Sequence, residues 1–114
     1  MKIWLDDVRE PPDPNWIVVR SEETFKELIG YLRPGCIDVI GFDHDLGSAD
    51  PQETGYDCAR WLLSCYEEKL AEDFRYYIQS SNGPGRKHIE QLIDRHYERE
   101  HGESVSRKLF AIPT

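Results

Sequence analysis

Positive charge is scarce in this chain: 14 Lys and Arg stand against 22 Asp and Glu, a formal net charge of −8. Such a balance repels duplex nucleic acid unless basic residues gather on one face, and here they are scattered, so no partner of that kind is expected. Long apolar runs are missing as well. No stretch approaches the ~20 residues of a membrane helix, which argues against a membrane partner. Asp6 and Asp7 arrive too early for the apolar segment of a secretion signal, which points to a cytoplasmic protein. Cysteine is limited to Cys36, Cys58 and Cys65, an odd number, with the last two seven apart in a helical pattern. They read as small apolar packing groups rather than a disulfide or zinc set. Internal repeats and low-complexity segments are also lacking.

What is present suffices for one core. With 39% hydrophobic residues, three Trp, six Tyr and four Phe in 114 residues, the chain reads as a single domain, 1–114, in which 86–114 form a C-terminal helix and tail. Lys2 to Leu5 is a short strand ending at Asp6-Asp7, and Pro11, Pro12 and Pro14 make the next segment a loop. Trp16 to Arg20 is a second strand. Ser21 caps a helix whose inner face is Phe25, Leu28, Ile29 and Leu32, stopped by Pro34-Gly35. Ile37 to Phe42 is a third strand, and Thr54-Gly55-Tyr56-Asp57 opens a helix facing inward through Cys58, Trp61, Leu62 and Cys65. Phe74 to Ile78 is a fourth strand, and Ile89, Leu92, Ile93, His96 and Tyr97 trace a last helix. Lys108 to Ile112 is a candidate short edge strand. Alternating strands and helices predict a three-layer, mostly parallel α/β sheet, with order 2-1-3-4.

In such a sheet ligands bind beyond the carboxyl ends of the strands. Asp6-Asp7 leaves the first strand, Asp43-His44-Asp45 the third and Ser80-Ser81-Asn82 the fourth, so all three clusters fall on one edge. Two carboxylates ~4 Å apart repel by roughly 4 kcal/mol at an effective dielectric near 20. A hard divalent cation, Mg²⁺ above all, is the natural countercharge, and because Mg²⁺ takes few protein ligands it implies a phosphate-bearing ligand. The plainer reading is that each Asp caps a turn by itself. Ser80 to Arg86 offers hydroxyls, an amide, two glycines and an arginine as a phosphate cradle, although a simple turn reads the same way. Arg9 can fork onto a phosphate or pair with Glu10 or Asp13. His44, flanked by Asp43 and Asp45, can act as proton donor or acceptor, or face solvent. Structural roles are expected for His88, His96 and His101, and core positions for Tyr76, Tyr77 and Trp61.

The combination of Leu5-Asp6-Asp7-Val8-Arg9, Asp43-His44-Asp45-Leu46-Gly47, Thr54-Gly55-Tyr56-Asp57 and Ser80-Ser81-Asn82 resembles the cyclic-phosphate processing receiver domain family, an offshoot of response-regulator receivers. The resemblance covers about three quarters of the chain. It implies that Asp6, Asp7 and Asp43 hold Mg²⁺, that Asp43 stands at the phosphoacceptor position, and that Ser80 or Ser81 contacts the phosphoryl group. Three departures stand out. The loop around Pro11 to Asn15 leaves no room for the usual first helix; Lys108 precedes Leu109 instead of proline; and Gln79 stands where family members often carry histidine.

These readings converge on a Mg²⁺-dependent domain acting on small cyclic or terminal phosphates, cyclic nucleotides among them. In this reading Asp6, Asp7 and Asp43 are metal ligands, while Asp43, His44 and Asp45 are catalytic. Arg9, Ser80, Ser81, Asn82 and Arg86 bind phosphate. A signalling receiver phosphorylated on Asp43 and a cyclic-nucleotide binder without chemistry are the competing readings.

Overall fold

Four parallel strands form the sheet in the order β2-β1-β3-β4: β1 (Lys2–Leu5), β2 (Trp16–Val19), β3 (Ile37–Phe42) and β4 (Leu70–Ile78). The computed structural model describes residues 1–47 and 53–112. Three helices join them, α1 (Glu22–Tyr31), α2 (Gly55–Cys65) and α3 (Gly83–His101), with a single 3-10 turn at Glu67–Lys69. No described helix is long and apolar enough to cross a membrane. Between β1 and β2 there is only the proline-rich loop, so the first helix of a receiver is absent.

The caps reflect local chemistry. The Ser21 hydroxyl accepts from Thr24 N at 3.1 Å and Thr24 reaches back to Ser21 N, closing a capping box on α1. The Thr54 hydroxyl accepts from Asp57 N and donates to the Asp57 carboxylate at the start of α2. Asn82 caps α3 by accepting from Gly85 N at 3.0 Å, so that helix begins at Gly83 rather than Arg86. Gly102 ends it with φ of 67°, a left-handed turn that glycine adopts without steric cost.

β4 starts at Leu70, earlier than its aromatic stretch suggests. Its first half pairs with Ile37 through an irregular register, and Glu72 and Asp73 face water, which hides the strand pattern in the sequence. Lys108 makes one parallel bridge to Tyr76, so the expected edge strand is reduced to a single contact beyond β4.

Register decides the two faces. Ile3, Ile40 and Tyr76 share one level and Leu5, Val19, Phe42 and Ile78 the next. These residues join Phe25 and Ile29 of α1, Cys58, Ala59 and Leu62 of α2, and Ile89 and Ile93 of α3 in one buried core. Fully burying Phe25 or Ile29 contributes roughly 1.5–3 kcal/mol each. The opposite face carries Trp4 and Trp16 in edge-to-face contact at 5.3 Å. There the layer is the loop that replaces the first helix: Trp4 Nε1 donates to Arg9 O at 3.0 Å, and Lys2 lies 3.7 Å from Asp13.

Candidate functional site

Because Leu5, Phe42 and Ile78 stand at one level of the sheet, the residues directly after them emerge side by side. Backbone bonds hold that exit: Asp6 N donates to Val19 O, Asp43 N to Leu5 O and Gln79 N to Phe42 O. The Asp6, Asp7 and Asp43 carboxylates each place an oxygen within 4.8 Å of the others. Asp6 and Asp43 are buried and Asp7 is partly exposed.

Asp6 is fixed by its own loop. Its Oδ1 accepts from Val8 N at 3.0 Å and Arg9 N at 2.9 Å. The loop is pinned again at Arg9 O, which accepts from Trp4 and, at 2.7 Å, from the Arg20 guanidinium. Arg20 is in turn paired with Glu10 at 2.6 Å. Arg9 is thus released toward the acids, with Nη1 3.3 Å from Asp6 Oδ2 and 3.5 Å from Asp43 Oδ1. Its Nη2 donates to the Ser81 hydroxyl at 3.3 Å. Neither expected pairing, Glu10 or Asp13, takes this guanidinium.

One guanidinium does not neutralise the cluster. Burial, with the negative charge of Asp6 and to a lesser extent Asp7, pushes the Asp43 carboxyl up to about 6, against the pull of Arg9 and the Ser80 hydroxyl. Ser80 is 4% exposed and also accepts from Asn82 N at 3.1 Å. The two serines divide the work: Ser80 faces Asp43 and Ser81 faces Arg9.

Two glycines let other parts approach. A Cβ at Gly55 would stand 1.8 Å from Asp43 O, so the start of α2 can pack against the end of β3 only without a side chain. Gly47, at φ of 66°, would place a Cβ 2.6 Å from the Asp7 carboxylate.

His44 belongs to a second group, formed with Asp45 and Asn82. Its Nδ1 lies 2.9 Å from Asp45 Oδ1, and Asn82 Nδ2 donates to Asp45 Oδ2 at 3.3 Å. The His44 contact, burial notwithstanding, holds the Asp45 carboxyl below its ordinary range, with Asn82 helping. Asp45 therefore lies beside His44 and is 65% exposed, while the other three acids meet without it. Asn82 has its oxygen on the α3 cap and its amide on Asp45. Arg86 is exposed on the first turn of α3, its backbone N–H bonded to Asn82 O.

Lys108 donates to Glu90 at 3.0 Å, away from the strand ends, so the cation beside Asp43 is Arg9. Gln79 ties β4 to β1 through Nε2 to Leu5 O at 3.0 Å, a bond that explains an amide at this position. Sequence reasoning missed the anchoring by Trp4 and Arg20, for which nothing short of the loop geometry gives a signal.

A four-stranded parallel sheet in 2-1-3-4 order with acids at the ends of β1 and β3 defines a receiver-like α/β domain. The family description that matches is the cyclic-phosphate processing receiver domain, over residues 1–95, and the chain belongs to that family. No curated protein matches the chain. No solved structure matches it either.

Proposed function

We propose that this protein is a metal-dependent phosphate-processing enzyme that opens small cyclic phosphates or removes terminal ones, with cyclic nucleotides among its substrates. The observation that carries the reading is the convergence of Asp6, Asp7 and Asp43 within 4.8 Å at the strand ends. Three ionised carboxylates and the Arg9 guanidinium leave a formal charge of −3 + 1 = −2. An all-oxygen set with that charge suits one hard divalent cation, Mg²⁺ foremost, held by Asp6, Asp7 and Asp43. When bound, such an ion polarises a phosphoryl oxygen and acidifies a bound water.

The chain supplies the remaining functions. Arg9, Ser80 and Ser81 present donors to the phosphoryl oxygens, where developing charge binds them more strongly than the ground state does. Arg86, at the rim, reaches the outer part of the phosphate-bearing ligand. His44 takes a proton from the attacking water or gives one to the leaving oxygen. Asp45 fixes its Nδ1, which leaves Nε2 as the working nitrogen, and Asn82 positions Asp45. A cytoplasmic location is part of this reading.

The test is incubation with a 2′,3′-cyclic mononucleotide and Mg²⁺, following ring opening by chromatography. Turnover is expected with Mg²⁺, absent in chelator, and lost in His44→Ala with the circular dichroism unchanged. Full turnover of that variant would remove His44 from the mechanism, and tight binding without product would make the domain a binder.

A further inference from the structure

The far end of the molecule holds a different set of donors. Glu67, on the 3-10 turn before β4, meets His96 and His101 from the last turns of α3, one ligand atom from each lying within 4.8 Å of the others. Both histidines present Nε2: His101 to Glu67 Oε1 and His96 to Glu67 Oε2, the latter at 3.2 Å. His96 is 8% exposed, and its Nε2 has no hydrogen-bond partner although the Glu67 oxygen is that close. An imidazole nitrogen buried without a bond is costly. A nitrogen that faces the Glu67 oxygen at 3.2 Å without a hydrogen bond fits donors turned toward a shared ion. With metal–donor distances near 2.1 Å, two donors 3.2 Å apart subtend ~100° at a metal, and each donor axis lies roughly 40° off the line between them.

The surroundings favour a cation. The site lies at the carboxyl end of a 19-residue helix, where the helix dipole is negative. It borders an open cleft lined also by Glu68 and Glu72, and by Glu103, whose charge is already met by Arg107 at 2.6 Å. His101 is 44% exposed, which gives an ion a way in and leaves a fourth position for water. Two imidazoles and one carboxylate are a poor set for Mg²⁺ and a good one for a borderline metal.

The geometry points to a Zn²⁺ site formed by Glu67, His96 and His101, which clips the end of α3 to the start of β4. It is separate from the acidic site and does not depend on its function. The experiment is calorimetric titration of the whole chain with Zn²⁺ in saturating Mg²⁺, repeated with Co²⁺ to read coordination from its visible spectrum. One Zn²⁺ per chain is expected, with a tetrahedral Co²⁺ spectrum and a raised melting temperature. His101→Ala, at an exposed position, should weaken binding by at least about 10–100-fold, the loss that even an outer-shell partner causes. Asp7→Asn should leave it unchanged. Absence of Zn²⁺ binding would overturn the site, leaving the trio an ion-pair network; so would binding that survives both His101→Ala and His96→Gln.

Discussion

The Arg9 guanidinium stands between two carboxylates, 3.3 Å from Asp6 and 3.5 Å from Asp43, on the edge where β1 and β3 end. It is both an internal countercharge and the nearest donor for an incoming phosphate, and those two roles have opposite consequences for metal and substrate. In Arg9→Gln the cluster loses a positive charge, so Mg²⁺ should bind more tightly while KM for the cyclic phosphate rises. Because Arg9 is 38% exposed and screened, the expected effect on metal affinity is about 1 kcal/mol, roughly fivefold. Calorimetry and steady-state kinetics on the one variant check both signs.

The raised Asp43 carboxyl sets a pH dependence in the metal-free protein. Its pKa is about 6 against an ordinary 3.8, so the folded state holds a proton that the unfolded state has lost between those values. Stability should therefore fall as pH rises from about 4 to about 6, by on the order of 2 kcal/mol from this group alone. Denaturant melts in chelator, comparing wild type with Asp43→Asn across that window, isolate the contribution. The difference should shrink when Mg²⁺ is added, since the ion replaces the proton as countercharge.

Gly55 and Gly85 separate folding from chemistry. At Gly55 a methyl would collide with backbone, 1.8 Å from Asp43 O, so Gly55→Ala should destabilise the domain by about 1–3 kcal/mol or more. At Gly85 it would meet His44, 2.5 Å from Cγ and 2.9 Å from Cβ, so the ring must turn away and the start of α3 must also give slightly. Gly85→Ala should lose less melting temperature than Gly55→Ala, and most of its kcat. Equal activity loss without His44 displacement in a crystal of the variant would contradict this.

Asp43 distinguishes hydrolysis from signalling. Incubation with a small phosphodonor and Mg²⁺, followed by intact mass, should show no lasting adduct. A stable phosphoryl group on Asp43 would favour the receiver reading.

Much of this fold is written in local chemistry. Pro11, Pro12 and Pro14 exclude the first helix, Ser21 and Thr54 mark two helix starts, and apolar strands broken by acid fix the strand ends. Placement of Asp6, Asp7 and Asp43 on one edge follows from β1 and β3 being parallel neighbours that end at the same level. Other features depend on contacts remote in sequence. Arg20 reaches Arg9 O across the loop, and Gln79 reaches Leu5 O across β3. The division of Ser80 and Ser81 between Asp43 and Arg9 is set by the turn after β4, and a sequence cannot display it. His96 and His101 read as structural residues because Glu67 lies on another element.

The central claim is that one divalent cation is shared by carboxylates from separate strand ends. Titration of the metal-free chain with Mg²⁺ by calorimetry, in wild type and in Asp7→Asn, tests it most directly, because Asp7 is the partly exposed member whose replacement spares the buried loop. The account predicts one Mg²⁺ per wild-type chain and strongly weakened binding in the variant; no Mg²⁺ binding, or equal binding by both proteins, would contradict it.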